Sequence, residues 1–259
     1  MITSFEDDLA YSLEAKIELL PYIPYLLEDL WELGSSPELY VDLLKPLNLK
    51  PESTSVLDLG CGKGAVSITI AKKLDFGVFG IDACKSFLET AEMKAIEFGV
   101  QNLCQFEFGD MKEFVKTAKN FDIVIYAAIG NILGGVRDII NKLRRTIKSG
   151  GYILFDEGFL KNNATVDKEG YEHLLTHEET IKQLTSFGDS IIQEVILRDE
   201  DTKEINKKYI RLIKPKKEEL SKKYPELKEL FSWYIENQLA ECEILDTQVS
   251  SAMWLLQIQ

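Results

Sequence analysis

The chain has 259 residues, and 30 Lys and Arg against 43 Asp and Glu give it a formal net charge of −13. Hydrophobic residues make up 45% of the chain and charged residues 28%, which is typical of a globular protein and excludes disordered, collagen-like and membrane chains. Because excess carboxylate repels phosphate groups and anionic lipids, we expect no general binding of nucleic acid or membranes, whereas a cationic ligand is compatible with this charge.

The first 50 residues predict helices. Apolar residues recur at spacings of three and four in three segments, which are interrupted at Pro21, near Gly34 and at Pro46. We expect residues 1–50 to form a helical lid and residues 51–259 to form the main domain.

The start of the chain also bears on location. Residues 1–8 are acidic and lack the basic and apolar regions of a signal peptide. Four cysteines without a CxxC pair suit reduced thiols better than a disulfide framework or a zinc site. We therefore expect a cytoplasmic protein.

From residue 55 onwards, short apolar runs alternate with amphipathic segments. Strands are predicted at 55–60, 78–82, 103–108, 121–128 and 151–157, and helices at 65–74, 86–98, 111–118 and 132–147. This alternation indicates βαβ units and a parallel sheet, and right-handed crossovers then favour a doubly wound, Rossmann-like α/β topology.

The last hundred residues break this rhythm. They predict a helix at 178–187, a strand at 190–198, a long polar helix at about 216–243 and an apolar final segment at 252–258. Residues 203–223 carry a net charge of +6, and residues 224–246 carry −5. Two interpretations stay open, namely complementary helix faces in solvent or a cationic rim for an acidic acceptor.

A glycine loop, Asp58-Leu-Gly-Cys-Gly-Lys-Gly64, joins the first predicted strand to its helix. Glycines allow a tight turn and a close approach of the backbone to a ligand. Asp82 ends the second strand 22 residues after Gly60, where a carboxylate can accept bonds from both ribose hydroxyls of a nucleoside.

The loop also fits a nicotinamide cofactor, because Gly60, Gly62 and Ala65 satisfy G-x-G-x-x-G/A. However, Asp58 disfavours a pyrophosphate, and Asp110 follows the third strand, where it can accept a bond from an adenine amino group. Carboxylates at three successive strand ends suit a cationic nucleoside, which favours S-adenosylmethionine over NAD.

These segments together resemble the class I S-adenosylmethionine-dependent methyltransferases. The matching stretches are residues 56–64, 80–82, 109–111, 121–126 and 143–152. The resemblance implies a mostly parallel, seven-stranded Rossmann-like sheet with an antiparallel last strand, and a helical insertion at about 203–246 before that strand. It also implies S-adenosylmethionine as cofactor and S-adenosylhomocysteine as product. The predicted cofactor-binding residues are Asp58, Gly60, Cys61, Gly62, Gly64, Asp82, Ala83, Gly109, Asp110, Met111 and Ala127.

Candidates for positioning the acceptor lie near the ends of the fourth and fifth strands. Tyr126 is expected to line the site, and Glu157 is expected to orient the acceptor or to take a proton from it, unless it is merely structural. His173 and His177, four residues apart, could share a helix face, but no third ligand accompanies them, so we predict no metal.

The sequence therefore predicts a methyltransferase that acts on a small molecule. No Asn/Asp-Pro-Pro-Tyr/Phe tetrapeptide follows the fourth strand, where Ala127 begins the stretch Ala-Ala-Ile-Gly. We expect a small-molecule acceptor, no nucleic acid, no membrane, and a monomer or homodimer. An NAD-dependent oxidoreductase and a non-catalytic S-adenosylmethionine-binding module stay open as alternatives, and the sequence does not identify the acceptor atom.

Overall fold

A single seven-stranded sheet organises the protein, whose computed structural model describes residues 4–34, 36–117, 119–161, 164–168 and 170–259. The strands are β1 Ser55–Leu59, β2 Gly77–Asp82, β3 Cys104–Phe108, β4 Phe121–Ala127, β5 Ile147–Leu160, β6 Ser190–Ile196 and β7 Val249–Gln257. Their order is β3-β2-β1-β4-β5-β7-β6. Neighbours from β3 to β5 are parallel, and β7 runs antiparallel to both β5 and β6. The predicted Rossmann-like fold is confirmed.

Alternation along β1 divides its side chains between the two faces of the sheet. Leu57 and Leu59 pack into one core cluster, which includes the helices α7 (Val136–Leu143) and α8 (His177–Leu184). Val56 points into a second cluster with α4 (Ala65–Leu74), α5 (Lys85–Glu97) and α3 (Pro37–Leu44). Helices thus cover both faces, which is why the central strands are almost continuously apolar.

Several predicted boundaries were wrong. The helix predicted at 132–147 is the shorter α7, because Gly134 and Gly135 precede it and β5 already begins at Ile147. The helix predicted at 111–118 is the single turn α6 (Met111–Phe114), and Ala118 lies outside the described residues. The fifth strand is longer than predicted, with a register shift against β4 between Phe121 and Ile123.

The N-terminal segment contains shorter helices than the apolar periodicity predicts. α1 (Phe5–Ser12) begins with a capping box between Ser4 and Asp7, and it ends where Glu14 takes a positive φ of 50°. α2 (Ile23–Leu26) is a single turn. Apolar residues of this segment pack against the insertion and form a third core cluster, separate from the two that flank the sheet.

The insertion before the last strand is a helical hairpin of α9 (Asp199–Lys223) and α10 (Lys228–Thr247), not the one long helix predicted at 216–243. Pro225 explains the break, because the residue before a proline is disfavoured in helical geometry, and Tyr224 has φ −130° and ψ 74°.

The basic helix α9 faces the acidic N-terminal segment. Lys208 lies 2.9 Å from Glu32, and Lys216 lies 2.6 Å from Glu28 and 3.4 Å from Asp29. The structure therefore supports the interpretation of complementary faces over the cationic rim. In the described ranges, no helix is both long enough and apolar enough to cross a bilayer.

Candidate active site

A cavity of about 240 Å³ opens at the carboxyl ends of β1, β2 and β4, and we call it the glycine-loop cavity. This is the edge of a doubly wound sheet where ligands bind. The residues from the predicted cofactor set that line it are Gly60, Gly62, Asp82, Ala83, Met111 and Ala127.

Gly60 shows why the loop needs glycine. Its φ is +68°, and a Cβ at this position would lie 2.8 Å from Cδ1 of Ile129 and 3.3 Å from Cε of Met111. Both of these side chains line the cavity. A side chain on residue 60 would therefore intrude into the wall and strain the backbone.

Asp82 is fixed at the end of β2 by backbone donors. Its Oδ2 accepts the Gly62 N–H at 2.8 Å, and its Oδ1 accepts the Cys84 N–H at 2.8 Å. Burial raises the pKa of this carboxyl to about 6, although the backbone donors oppose the shift. The carboxylate thus holds the glycine loop in place and lines the cavity, and its expected contact with a ribose diol stays a prediction.

Other predicted cofactor residues lie behind the cavity wall. Asp58 is only 3% exposed, and its Oδ2 accepts the Ser67 hydroxyl at 2.5 Å. With Cys61 it lines a separate cleft of about 30 Å³. Burial raises the pKa of the Asp58 carboxyl to about 7. These contacts give Asp58 a part in supporting the loop, and its expected contact with a cationic amino group stays a prediction.

The remaining predicted cofactor residues allow close packing behind the cavity or cap the helix α6. A Cβ on Gly64 would lie 2.9 Å from the Ala91 Cβ, and one on Gly109 would lie 2.9 Å from Cδ1 of Ile81. Asp110 caps α6 by accepting the Lys112 N–H at 2.7 Å. This cap places Met111 at the cavity, while the expected contact of Asp110 with adenine stays a prediction.

Lys63, which the sequence analysis missed, ties the glycine loop to the N-terminal segment. Its Nζ donates to the carbonyls of Leu27 at 2.5 Å and Leu30 at 2.8 Å, and the side chain is 3% exposed. Trp31 returns a bond from its Nε1 to the Lys63 carbonyl at 2.9 Å. Burial lowers the pKa of the ammonium to about 8. A lysine between glycines carries no sequence signal of such a contact.

The glycine-loop cavity is closed by the N-terminal segment and the insertion. The wall residues that sequence reasoning missed include Leu9, Leu13, Phe87, Ile205, Tyr209 and Glu241. They come from five separate helices and turns, so only tertiary packing brings them together.

A second cavity of about 240 Å³ adjoins the first, and we call it the carboxylate cavity. Glu14, Ala128 and Glu241 line both cavities, so the two spaces share a wall. Asp156 and Glu157, at the end of β5, line only the second. Burial raises the pKa of each of these two carboxyls to about 7.

Glu157 and His173 lie beside each other in the wall of the carboxylate cavity. The Glu157 Oε2 lies 3.8 Å from the His173 Nε2, and the two side chains are 14% and 13% exposed. The His173 Nδ1 lies 2.8 Å from the Gly170 carbonyl oxygen, which can only accept, so Nδ1 carries the ring proton. Nε2 is therefore a buried acceptor, and it has no hydrogen-bond partner within the part of the chain that the structure describes.

Tyr126 is a core residue, contrary to the expectation that it lines the site. It is fully buried and stacks on Phe155, and its hydroxyl donates to the Gly130 carbonyl at 2.7 Å. It therefore supports the turn that carries Ala128, whose φ is +52°. Its placement at the acceptor was wrong because strand alternation turns it into the sheet's core.

The two histidines do not share a helix face. His173 precedes α8, and His177 begins it and lies 2.7 Å from Glu194. Among the residues that the structure describes, no group of three or more His, Cys, Asp or Glu side chains is arranged to hold a metal ion.

Comparisons with known proteins agree with this geometry. The family model described as "Methyltransferase domain" matches residues 50–208. A probable cobalt-precorrin-6B C(15)-methyltransferase (decarboxylating) of Methanococcus vannielii is 31% identical over 148 residues, which are 57% of this chain and 76% of that relative. A carboxy-S-adenosyl-L-methionine synthase of Campylobacter jejuni subsp. doylei is 27% identical over 50% of this chain, which spans only about half (54%) of that relative.

The fold also matches solved structures. An S-adenosylmethionine-dependent methyltransferase from Geobacter sulfurreducens, crystallised with S-adenosylhomocysteine, superposes with a TM-score of 0.77. The match covers 92% of this chain and 98% of that one at 22% identity, so it reports on the fold.

Proposed function

The chain belongs to the methyltransferase domain family as a class I S-adenosylmethionine-dependent enzyme, and from this premise we propose that it methylates a small molecule held in the carboxylate cavity. One observation carries the proposal. The carboxylate cavity shares the Glu14, Ala128 and Glu241 wall with the glycine-loop cavity, so a methyl group at the wall would face an acceptor.

The glycine-loop cavity fits the methyl donor. Gly60 leaves room for a ligand beside the loop, and Asp82 offers a carboxylate where a ribose diol would bind. Met111 offers an apolar side chain for an adenine ring. When bound, S-adenosylmethionine supplies a methyl group on a positively charged sulfur and leaves as S-adenosylhomocysteine.

The protein's own residues then act by positioning and by excluding water. α1 and the α9–α10 hairpin cover both cavities, and Lys63 holds the N-terminal segment against the glycine loop. Glu157 lines the carboxylate cavity, where it would orient an acceptor and receive a proton from it.

Calorimetry tests the donor half of this proposal. The protein should bind S-adenosylhomocysteine and show no binding of NADH. The variant Asp82→Ala should lose about 1–3 kcal/mol of binding free energy, or roughly 5- to 150-fold in Kd, because a charged hydrogen-bond acceptor is removed. Asp42→Ala, on the exposed side of α3, is the matched control and should bind like the parent.

Two results would contradict the proposal. Binding of NADH in place of S-adenosylhomocysteine would favour the oxidoreductase alternative. Tight binding of S-adenosylhomocysteine without methyl transfer to any compound of a metabolite library, followed with labelled S-adenosylmethionine, would leave only the non-catalytic binding module.

A further inference from the structure

The carboxylate cavity is lined by more carboxyl groups than have a cationic partner among the described residues. Among the four carboxylates that line it, Glu14 is paired with Lys168 at 2.7 Å. Asp156, Glu157 and Glu241 also line the cavity, and no Lys or Arg does so within the described ranges. Buried carboxylates are costly to ionise without a cationic partner, so this cavity is built to receive positive charge.

Neighbouring hydroxyl groups hold two of these carboxylates but bring no charge. The Tyr40 hydroxyl donates to Asp156 Oδ2 at 2.5 Å, and the Tyr171 hydroxyl donates to Glu241 Oε1 at 2.7 Å. Among the described residues, Glu157 receives only a backbone bond, from the Gly158 N–H at 2.9 Å. Glu157 is therefore the carboxylate with most capacity left for a donor inside the cavity.

The His173 Nε2 is a second feature that calls for a hydrogen-bond donor. This atom is a buried acceptor without a hydrogen-bond partner among the described residues, and it lies 3.8 Å from Glu157 Oε2. Burial lowers the pKa of His173, which keeps the ring neutral and accepting. A group with two or more N–H bonds can donate to both atoms at once.

Two lysines of the basic helix α9 are paired away from the carboxylate cavity. Lys208 and Lys216 of α9 pair with Glu32 and Glu28 of the N-terminal segment. The part of α9 that reaches the glycine-loop cavity contributes Ile205, Asn206 and Tyr209, which carry no positive charge. Among the described residues no Lys or Arg lines either cavity, and the nearby Lys168 is paired with Glu14.

We propose that the acceptor is a small primary or secondary amine, which enters the carboxylate cavity as an ammonium ion and is held by Glu157 and His173. This inference rests on the proposed function, since it names the substrate class of the same site.

The chemistry balances without a further reactant. The ammonium gives one proton to the Glu157 carboxylate and becomes a neutral amine. The nitrogen lone pair then forms the new N–C bond to the methyl carbon while the C–S bond breaks and its electron pair stays on sulfur. The product is a methylated ammonium ion, and Glu157 releases its proton to solvent. Burial raises the pKa of Glu157 to about 7, which brings this base closer to an amine than an exposed glutamate would be.

A panel of compounds matched in shape tests the inference. Ethanolamine, benzylamine and piperidine are the amines, and benzyl alcohol, cyclohexanol, benzoate and glycolate are the neutral or anionic counterparts. We expect at least one amine to raise S-adenosylhomocysteine formation tenfold or more over the rate without acceptor, and none of the counterparts to do so. The active amine should also bind the S-adenosylhomocysteine complex in calorimetry.

Variants test the residues. Glu157→Gln should lower kcat about 100-fold, a typical size for loss of a general base. Glu241→Gln should raise KM for the amine about tenfold with a smaller change in kcat. Glu38→Gln removes the same charge from an exposed position paired with Lys73 and should match the parent. Unchanged affinity for S-adenosylhomocysteine in Glu157→Gln shows that this variant is folded.

The outcomes separate the inference from the proposed function. If the protein binds S-adenosylhomocysteine but uses alcohols or carboxylates, or leaves all amines unmethylated, the amine inference is overturned and the donor assignment stands. Normal turnover by Glu157→Gln overturns the role of Glu157. If the parent does not bind S-adenosylhomocysteine, the proposed function itself fails.

Discussion

Asp58 allows a quantitative prediction about stability. It lies on β1 beside Val56, on the face covered by α3, α4 and α5, and it is 3% exposed. Burial raises the pKa of its carboxyl from 3.8 to about 7. Since the folded protein binds this proton more tightly than the unfolded chain, the stability it contributes is full below pH 3.8 and is lost as pH rises to 7.

The substitution Asp58→Asn removes this dependence. The amide keeps an oxygen that can accept the Ser67 hydroxyl, now bound to Asp58 Oδ2 at 2.5 Å, but it has no proton to lose. Between pH 5.5 and 8.5 the Asp58 carboxyl loses its proton in the folded parent, which lowers the parent's free energy of unfolding by about 2 kcal/mol. The variant has no such proton and does not undergo this loss. The variant should therefore gain about 2 kcal/mol relative to the parent over this interval.

Urea unfolding at the two pH values measures the effect. Buried carboxyls distant from Asp58, such as Asp156 and Glu157, titrate in both proteins, so their contributions cancel in the difference. Asp42→Asn, on the exposed side of α3, controls for loss of a negative charge and should show no such gain. A stability difference between Asp58→Asn and the parent that stays constant from pH 5.5 to 8.5 would refute the reasoning.

Two further predictions concern the glycine loop. Lys63→Met should lower the free energy of unfolding by about 2 kcal/mol and weaken S-adenosylhomocysteine binding, because the buried carbonyls of Leu27 and Leu30 lose their donor. Urea unfolding measures the first effect and calorimetry the second. Unchanged values would show that Lys63 does not hold the N-terminal segment against the loop. Gly60→Ala should weaken S-adenosylhomocysteine binding tenfold or more, because the new Cβ would lie 2.8 Å from the cavity residue Ile129. Gly99→Ala is the control: Gly99 also has a positive φ (+73°), but a Cβ there would have no atom within 4 Å, so this variant should lose stability only. Equal affinities of the two alanine variants would contradict the steric argument.

The positions of the glycine loop and of Asp82 could be predicted from the sequence, because they depend on residues nearby in the chain and on the order of two adjacent strands. The glycine loop follows β1 directly, and Asp82 ends the adjacent parallel strand, so both must meet at the carboxyl edge of the sheet. Here β1 pairs with β2 in register from Ser55 to Leu59, which fixes the distance between loop and carboxylate. Local pattern and strand order were enough to place them.

Alternation explains the less accurate placements. Tyr126 was predicted to line the site because it lies near a strand end, yet it points into a packed core. Asp58 is buried as well and lines a small cleft beside the glycine loop, and its expected contact with an amino group stays a prediction. Tyr126 is paired with Leu59 and Phe155 across the sheet, and its ring stacks on Phe155. The last residues of β2 and β4, Asp82 and Ala127, reach the cavity together with residues that follow a strand, such as Gly60 and Ala128.

The residues that close the site could not be predicted from the sequence. Lys63 finds its partners more than 30 residues away, and Glu241 reaches both cavities from within a 20-residue helix of the insertion. These contacts depend on how the α9–α10 hairpin packs on the N-terminal segment. No spacing rule links segments that meet only through tertiary structure.

The net charge of −13 is distributed in a way that matters for selectivity. Acidic residues of the N-terminal segment, such as Glu28 and Glu32, are paired with lysines of α9, so they contribute structure and little field at the site. Asp156, Glu157 and Glu241 line a cavity without a described lysine or arginine. Because solvent screens interactions between exposed charges more than those inside a cavity, we expect these three carboxyls to influence which ligand enters more than the surface charges do. A variant that changes the overall charge on the surface should therefore leave substrate choice intact, whereas one neutral substitution in the cavity should change it.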